Sequence, residues 1–225
     1  MTPKRGGRDR DRTAGARTPE GFIPKGNARY DRHDTYYRQA KKEGFAARSI
    51  YKLEEIDVDV KLISPGDRVL DLGCAPGSWL QYVDQKVTRG SAVGIDLLPV
   101  KAGVSSRVRV MQGDAFEVTI DDLSGGKPFN VVLSDMAPNT TGIRAVDQAR
   151  SMALCERALE VADRVLVTGG NFCVKILEGG EMKAFLDACK ALFTTVKVKR
   201  PKSTRAGSIE TYVIGLRRKP RENAP

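Results

Sequence analysis

The segment RVLDLGCAPGSW, residues 68–79, joins an apolar run to a glycine-punctuated loop and then to a helix start, and no other stretch of the 225-residue chain restricts the fold so tightly. A short run that is apolar on both faces belongs to a strand covered on both sides, as in a parallel sheet flanked by helices. Gly73 and Gly77 lack a Cβ, so the backbone there can turn sharply and approach a ligand at the carboxyl edge of the sheet. Strand and helix signals then alternate to the end of the chain. Strands are expected near 68–72, 92–96, 107–112, 130–135, 169–175, 194–200 and 210–216, and helices near 78–87, 144–165 and 181–191.

The closing pair TTVKVKRP and ETYVIGL resembles a hairpin, which is foreign to a dehydrogenase sheet. It suits an α/β, Rossmann-like, seven-stranded methyltransferase fold whose last strand runs antiparallel. Upstream, Tyr37, Ala40, Ala47, Ile50, Leu53 and Ile56 recur at helical spacing, and Gly44 marks a break between two helices. Residues 1–34 are rich in Arg, Gly, Pro and Asp without apolar periodicity, the composition of a disordered basic arm. The expected organisation is that arm over 1–34, one methyltransferase domain over 35–220, and a C-terminal tail over 221–225.

Charge narrows the partner. Lys and Arg number 38 against 28 acidic residues, a formal net charge of +10, which favours a polyanion, nucleic acid ahead of an anionic membrane surface. No run approaches the roughly 18 consecutive apolar residues of a membrane span, and the N-terminus has no apolar signal stretch, so a cytoplasmic protein is expected. Asp9, Asp11, Glu20, Asp31 and Asp34 interrupt the arm and argue against a mitochondrial presequence. Cys74, Cys155, Cys173 and Cys189 form no C-x-x-C pair and His33 is the only histidine, so no metal site and no histidine-dependent hydrolase is expected. Cys74, inside the glycine loop, is read as packing and not as a nucleophile.

A nicotinamide fingerprint needs G-x-G-x-x-G so that a pyrophosphate can rest on a helix N-terminus, whereas the middle glycine position here is Ala75, followed by Pro76. S-adenosylmethionine has no pyrophosphate and instead needs acceptors for its ribose hydroxyls, adenine amine and ammonium. Acidic residues stand after four successive strands. Asp96 in GIDLLP can accept ribose hydroxyls, Asp114 in QGDAF can accept from the adenine amine, and Asp71 and Asp135 supply negative potential near the ammonium and sulfonium. Trp79 is expected to add an aromatic surface beside the loop.

Lys52 in ARSIYKL, Asp135 in VVLSDMAP, Lys175 in NFCVKIL and Glu210 in SIETYVIG are the residues such a fold would bring to one pocket, and a Lys–Asp–Lys–Glu set there suits methylation of a ribose 2′-hydroxyl in RNA. That hydroxyl is a weak nucleophile and needs in-line placement together with loss or sharing of its proton. Lys175, expected at the end of an apolar strand, could act as a neutral base if burial and nearby cations lowered its pKa, or as an ammonium that orients the hydroxyl and stabilises negative charge. The residues leave both options open. A base-amine methyltransferase is disfavoured because Met136-Ala137-Pro138 offers no ring to stack on a planar base.

With ARSIYKL, DLGCAPGSW, GIDLLP, QGDAF, SDMAPNTTG, FCVKIL and SIETYVIG in this order, the chain resembles the FtsJ/RrmJ family of RlmE-type ribosomal RNA methyltransferases over about residues 35–220. The resemblance implies S-adenosylmethionine as cofactor and a uridine 2′-hydroxyl of 23S ribosomal RNA as substrate, within the late-assembling large subunit, for a monomer that needs no metal. It also implies Lys175 as principal catalytic residue, completed by Lys52, Asp135 and Glu210, with Gly77, Trp79, Asp96, Asp114 and Asp135 at the cofactor. DTYYRQAKKEGFAARS is also similar to the transfer-RNA branch of the superfamily, and a noncatalytic ribosome-assembly protein is the further alternative. The basic run VKVKRPKSTRAGS, with Lys199, Arg200, Lys202 and Arg205, is expected to face RNA phosphates together with Arg48, and so are Arg217, Arg218 and Lys219.

Overall fold

The computed structural model describes residues 35–221; the arm expected over 1–34 and residues 222–225 of the tail lie outside them. In chain order the elements are α1 (Thr35–Lys42), α2 (Ile50–Val60), β1 (Arg68–Leu72), α3 (Ser78–Lys86), β2 (Ser91–Asp96), β3 (Val108–Gln112), α4 (Ile120–Ser124) and β4 (Phe129–Ser134). They continue with α5 (Arg144–Val165), β5 (Leu166–Leu177), α6 (Met182–Leu192), β6 (Phe193–Lys199) and β7 (Glu210–Arg218). All seven strands join one sheet in the order β3-β2-β1-β4-β5-β7-β6. Strands β1 to β5 pair in parallel, and β7 runs antiparallel between β5 and β6. Strand order reverses between β1 and β4, which opens a crevice beyond their carboxyl ends where α/β sheets bind ligands.

Alternation along the strands divides the interior into two layers. Val69, Val131, Leu133, Cys173, Tyr212 and Ile214 pack with α1, α2 and α3 on one face. Leu70, Leu72, Val132, Phe172, Val174 and Val213 meet α5 and α6 on the other. All four cysteines are buried and free, the packing role expected of small apolar side chains. Burial pushes the Cys74 thiol far above its ordinary value, which leaves no thiolate for nucleophilic attack.

The strand and helix positions follow the expected ones closely, with one instructive departure. Strand β5 starts at Leu166, directly after α5 and without a connector, although the sequence suggests a start at Gly169. Leu166 faces Phe129 and Asn171 faces Val131, so five steps along β5 oppose two along β4, and Gly169 at φ +83° lies in the bulge that takes up the difference. The strand also runs two residues past Lys175. Tyr37, assigned to the apolar face of α1, is exposed, and only Ala40 of that helix is buried.

Helix α2 is fixed to α3 by Asp57. Its buried carboxylate accepts hydrogen bonds from the Ile63 amide (2.9 Å) and the Tyr82 hydroxyl (2.7 Å), and Lys86 lies 3.0 Å away. A buried charge of this kind is tolerable because every side of it is satisfied. On the opposite face, Phe172 and Phe193 stack with centroids 5.7 Å apart and are both fully buried. Phe172→Ala should lower unfolding free energy by about 3–5 kcal/mol in equilibrium denaturation; a loss below about 1 kcal/mol would show that this layer repacks freely.

Candidate active site

The antiparallel entry of β7 assembles the site. Lys175 of β5 stands directly opposite Tyr212 of β7, and Leu177 opposite Glu210, so Lys175, Tyr212 and Glu210 project from the same face of the sheet. That is the face covered by α2, which explains how Lys52 reaches the site from a helix distant in sequence. The Lys175 Nζ lies 3.0 Å from Asp135 Oδ1 and donates to the Asp135 carbonyl oxygen at 2.7 Å. Lys52 Nζ is ion-paired with Glu210 Oε1. The side chains of Lys52, Asp135, Lys175 and Glu210 retain 12, 18, 10 and 19 % exposure, so all four are largely withdrawn from solvent yet open at one side. The structure therefore brings together the four residues that the sequence singles out.

Tyr212 was not among them. Its hydroxyl donates to Asp135 Oδ1 at 2.9 Å from a fully buried ring, and burial together with the charges of Asp135 and Glu210 drives its pKa well above the usual phenol value. It is thus a permanently neutral donor that fixes the carboxylate to which Lys175 is bound. The available signal was its position two residues after Glu210 in a final strand, which places both on one face.

At the neighbouring strand ends the glycine loop folds over β1. Gly73 has φ +78°, and a Cβ there would lie 2.5 Å from Met136 Cγ and 2.9 Å from the Met136 backbone; Gly77 has φ +113°, with Ala102 Cβ at 2.5 Å from the same imagined atom. Both positions need glycine for conformation and for close packing of adjacent loops. Asp96 Oδ2 accepts from the Ala75 amide at 2.9 Å and Oδ1 from the Leu98 amide at 2.8 Å, so both oxygens are fixed while each keeps a further lone pair. Asp114 Oδ1 is held by the Phe116 amide at 2.8 Å.

A family model described as FtsJ-like methyltransferase matches residues 45–218, which contain every side chain of this site. The chain belongs to the FtsJ-like methyltransferase family. It is 50% identical over 188 residues to a protein from Desulfatibacillum aliphaticivorans named ribosomal RNA large subunit methyltransferase E, covering 83% of this chain and 91% of that one. A protein of the same name from Sorangium cellulosum is 45% identical over 191 residues, covering 84% of this chain and 90% of that one. Among solved structures, a Plasmodium falciparum ribosomal RNA methyltransferase superposes with a TM-score of 0.68 at 24% identity, over 79% of this chain and all of that one. Human methyltransferase-like protein 13, solved with SAH, gives 0.55 at 18% identity over 78% of this chain and 84% of that one. These two likenesses concern the fold.

The residues of this FtsJ-like site fit a cationic methyl donor. Asp71 is fully buried at the end of β1 with neither carboxylate oxygen hydrogen-bonded within the protein, and burial, followed by the charges of Asp135 and Asp96, raises its pKa well above the ordinary value. A buried carboxyl with two orphaned oxygens, kept protonated beside two carboxylates, is a group that a positive ligand would ionise and satisfy. Among the described residues no group of three or more His, Cys, Asp or Glu could hold a metal ion.

Several expected contacts are placed differently. Trp79 is 2 % exposed, stacks at a tilt on Tyr212 with centroids 5.9 Å apart, and donates its indole N–H to the Ser49 carbonyl at 2.9 Å. Its ring joins α3 to the start of α2 and presents no free aromatic surface beside the loop, because an indole at this helix position points into the core. Arg217, Arg218 and Lys219 lie at the end of β7 remote from Glu210. Arg218 is buried and paired with Asp163 at 2.6 Å, Arg217 donates to Thr195 Oγ1 at 2.8 Å, and Lys219 donates to the Lys190 carbonyl at 2.7 Å. They do not face the site, since the nine-residue strand β7 runs from Glu210 at the site to Arg218 at its opposite end. Arg48 donates to the Ser203 carbonyl, Lys199 pairs with Asp59 at 2.6 Å and Arg200 donates to the Ser208 carbonyl; Arg200, Lys202 and Arg205 are exposed.

The raised Asp71 pKa has a signed consequence. The native state holds a proton that the unfolded chain has already released above pH of about 4, so stability is fullest below that value and declines as pH rises towards the folded pKa. Ligand-free Asp71→Asn should therefore melt above the parent, by a margin that widens as pH rises above about 4 towards the folded pKa; parallel melting curves would reject this assignment.

Proposed function

We propose that the protein transfers a methyl group from S-adenosylmethionine to a ribose 2′-hydroxyl of large-subunit ribosomal RNA, a uridine of 23S RNA being the expected target. The observation that carries this reading is the Lys175 Nζ held between the carboxylate and the carbonyl of Asp135, with the Lys52–Glu210 pair beside it. The identity to proteins named ribosomal RNA large subunit methyltransferase E, across nearly their whole length, supports the choice of RNA over the transfer-RNA alternative. The complete tetrad speaks against a noncatalytic assembly factor.

Bound in the crevice, S-adenosylmethionine supplies an electrophilic methyl carbon. Asp96 and Asp114, both held rigidly by backbone amides, would accept from its ribose hydroxyls and adenine amine, and Asp71 and Asp135 would face its positive charge. Lys175 donates one hydrogen bond to the Asp135 carbonyl and is ion-paired with the Asp135 carboxylate at 3.0 Å, so an ammonium there keeps an N–H donor to hold a substrate hydroxyl oxygen. Lys175 thereby orients the oxygen and offsets negative charge as its proton leaves, a preorganised role in a site where Tyr212 fixes Asp135. As the bond from that oxygen to the methyl carbon forms and the methyl–sulfur bond breaks, the hydroxyl proton would pass to a neighbouring carboxylate, Asp135 or Glu210, and on to solvent, and the Lys52–Glu210 pair keeps Glu210 in place.

In this account residues 35–220 form the catalytic domain, acting as a monomer on the late-assembling large subunit in the cytoplasm, without a metal. No described helix is long and apolar enough to cross a membrane, and the net charge of +10 suits a polyanionic substrate.

Lys175→Ala should leave S-adenosylmethionine binding within about twofold by calorimetry, a change worth under 0.5 kcal/mol, while abolishing tritiated-methyl transfer to large subunits from cells lacking the gene. Undiminished turnover would overturn the assignment. RNA affinity should also fall steeply as salt rises, through counterion release, and a flat salt response would exclude a phosphate-binding surface.

A further inference from the structure

Residues 200–209, between β6 and β7, carry Arg200, Lys202 and Arg205 and deliver Glu210 to the site. A surface connection of ten residues would ordinarily be loosely held. This one is gripped by α2. Glu55 uses both carboxylate oxygens on its main chain, Oε2 accepting from the Lys202 amide at 2.7 Å and Oε1 from the Ser203 amide at 2.9 Å. Arg48 donates to the carbonyl of the same Ser203, a residue with no solvent exposure, and Lys199 is paired with Asp59, also on α2. Glu55 follows Lys52 by three residues and so lies on the same side of the helix. One helical turn thus holds the connection at Lys202 and Ser203 through Glu55, and at its end through the Lys52–Glu210 pair.

We infer that Glu55 is a positioning residue for the RNA substrate, setting the exposed Lys202 and Arg205 side chains at a fixed place and height beside the catalytic pocket. The inference rests on the RNA-methylating function proposed above. A carboxylate on a basic face would repel phosphates if it were free, and here both of its oxygens are turned onto amides, where a charge-assisted bond is about twice as strong as a neutral one. Two opposite outcomes follow for its removal. A repelling carboxylate, once removed, would tighten RNA binding; a clamping one, once removed, would release the connection and weaken it.

The test uses the full chain, S-adenosylmethionine and purified large ribosomal subunits from cells lacking the gene. Glu55→Gln, which keeps one acceptor and loses the charge, and Glu55→Ala should each raise KM for the subunit, by about tenfold in the alanine variant. kcat should be much less affected and the cofactor Kd unchanged. Faster amide exchange at Lys202 and Ser203 should accompany the loss. Lys202→Ala alone should raise KM too, and should add little in the Glu55→Ala background, because the residue it removes is already misplaced. Lower or unchanged KM in both Glu55 variants, while Lys202→Ala raises it, overturns the proposal, and so do fully additive effects. Loss of subunit affinity in none of the three variants removes this surface from RNA binding altogether, and absence of transfer by the parent protein sinks the functional reading itself.

Discussion

The antiparallel insertion of β7 between β5 and β6 is the constraint on which the site depends. A parallel seventh strand would carry Glu210 to the amino edge of the sheet, far from Lys175. Running in reverse, β7 begins where β5 ends, and the pairing of Lys175 with Tyr212 sets one amine, one phenol and one carboxylate on the same face. Cross-strand register, fixed by two buried layers, thereby holds groups that are distant along the chain in positions a loop could not guarantee.

Asp135 is where that geometry becomes electrostatic. It follows β4 directly, accepts from Tyr212 and Lys175, and contributes to the raised pKa of Asp71. Asp71 runs against folding stability, since neither of its oxygens has a partner in the protein. In the proposed function, its position at the end of β1, beneath a loop that needs glycine at 73 and 77, makes it a group kept for a ligand and not for the core. Destabilised carboxyl and satisfied amine stand on β1 and β5, on either side of β4, at the same sheet edge.

The fold was legible because both of its periodicities are strong. Apolar runs bounded by Gly and Pro announce five parallel strands, and the VKVK and TYVIG segments announce the closing pair. Asp135, Lys175 and Glu210 were legible because each sits at a strand end or beside one, where a charge is unwelcome without a purpose, whereas Lys52, on α2, was legible only through its motif ARSIYKL. Tyr212 was hidden because a tyrosine in an apolar strand is ordinary core until its hydroxyl is seen to meet Asp135. Trp79 and Arg218 misled for the opposite reason: composition counts an indole or a guanidinium as surface chemistry, and only packing reveals that one is enclosed between helices and the other paired with Asp163. Glu55 could not be anticipated at all, since main-chain amides leave no mark in a sequence.

The direct passage from α5 into β5 leaves the polypeptide no slack. Val165 is helical and Leu166 is already in the sheet, and the Ser151 hydroxyl and Cys155 thiol of the same helix bind the backbone at Leu177 and Lys175. One residue added after the bulge, between Asn171 and Lys175, would turn the lysine towards α5 and bury its amine among Phe172, Phe185 and Cys189. Only the bulge at Gly169, which has open space beside its backbone, has room for extra length, so natural variation in this part of the family should be confined to that corner.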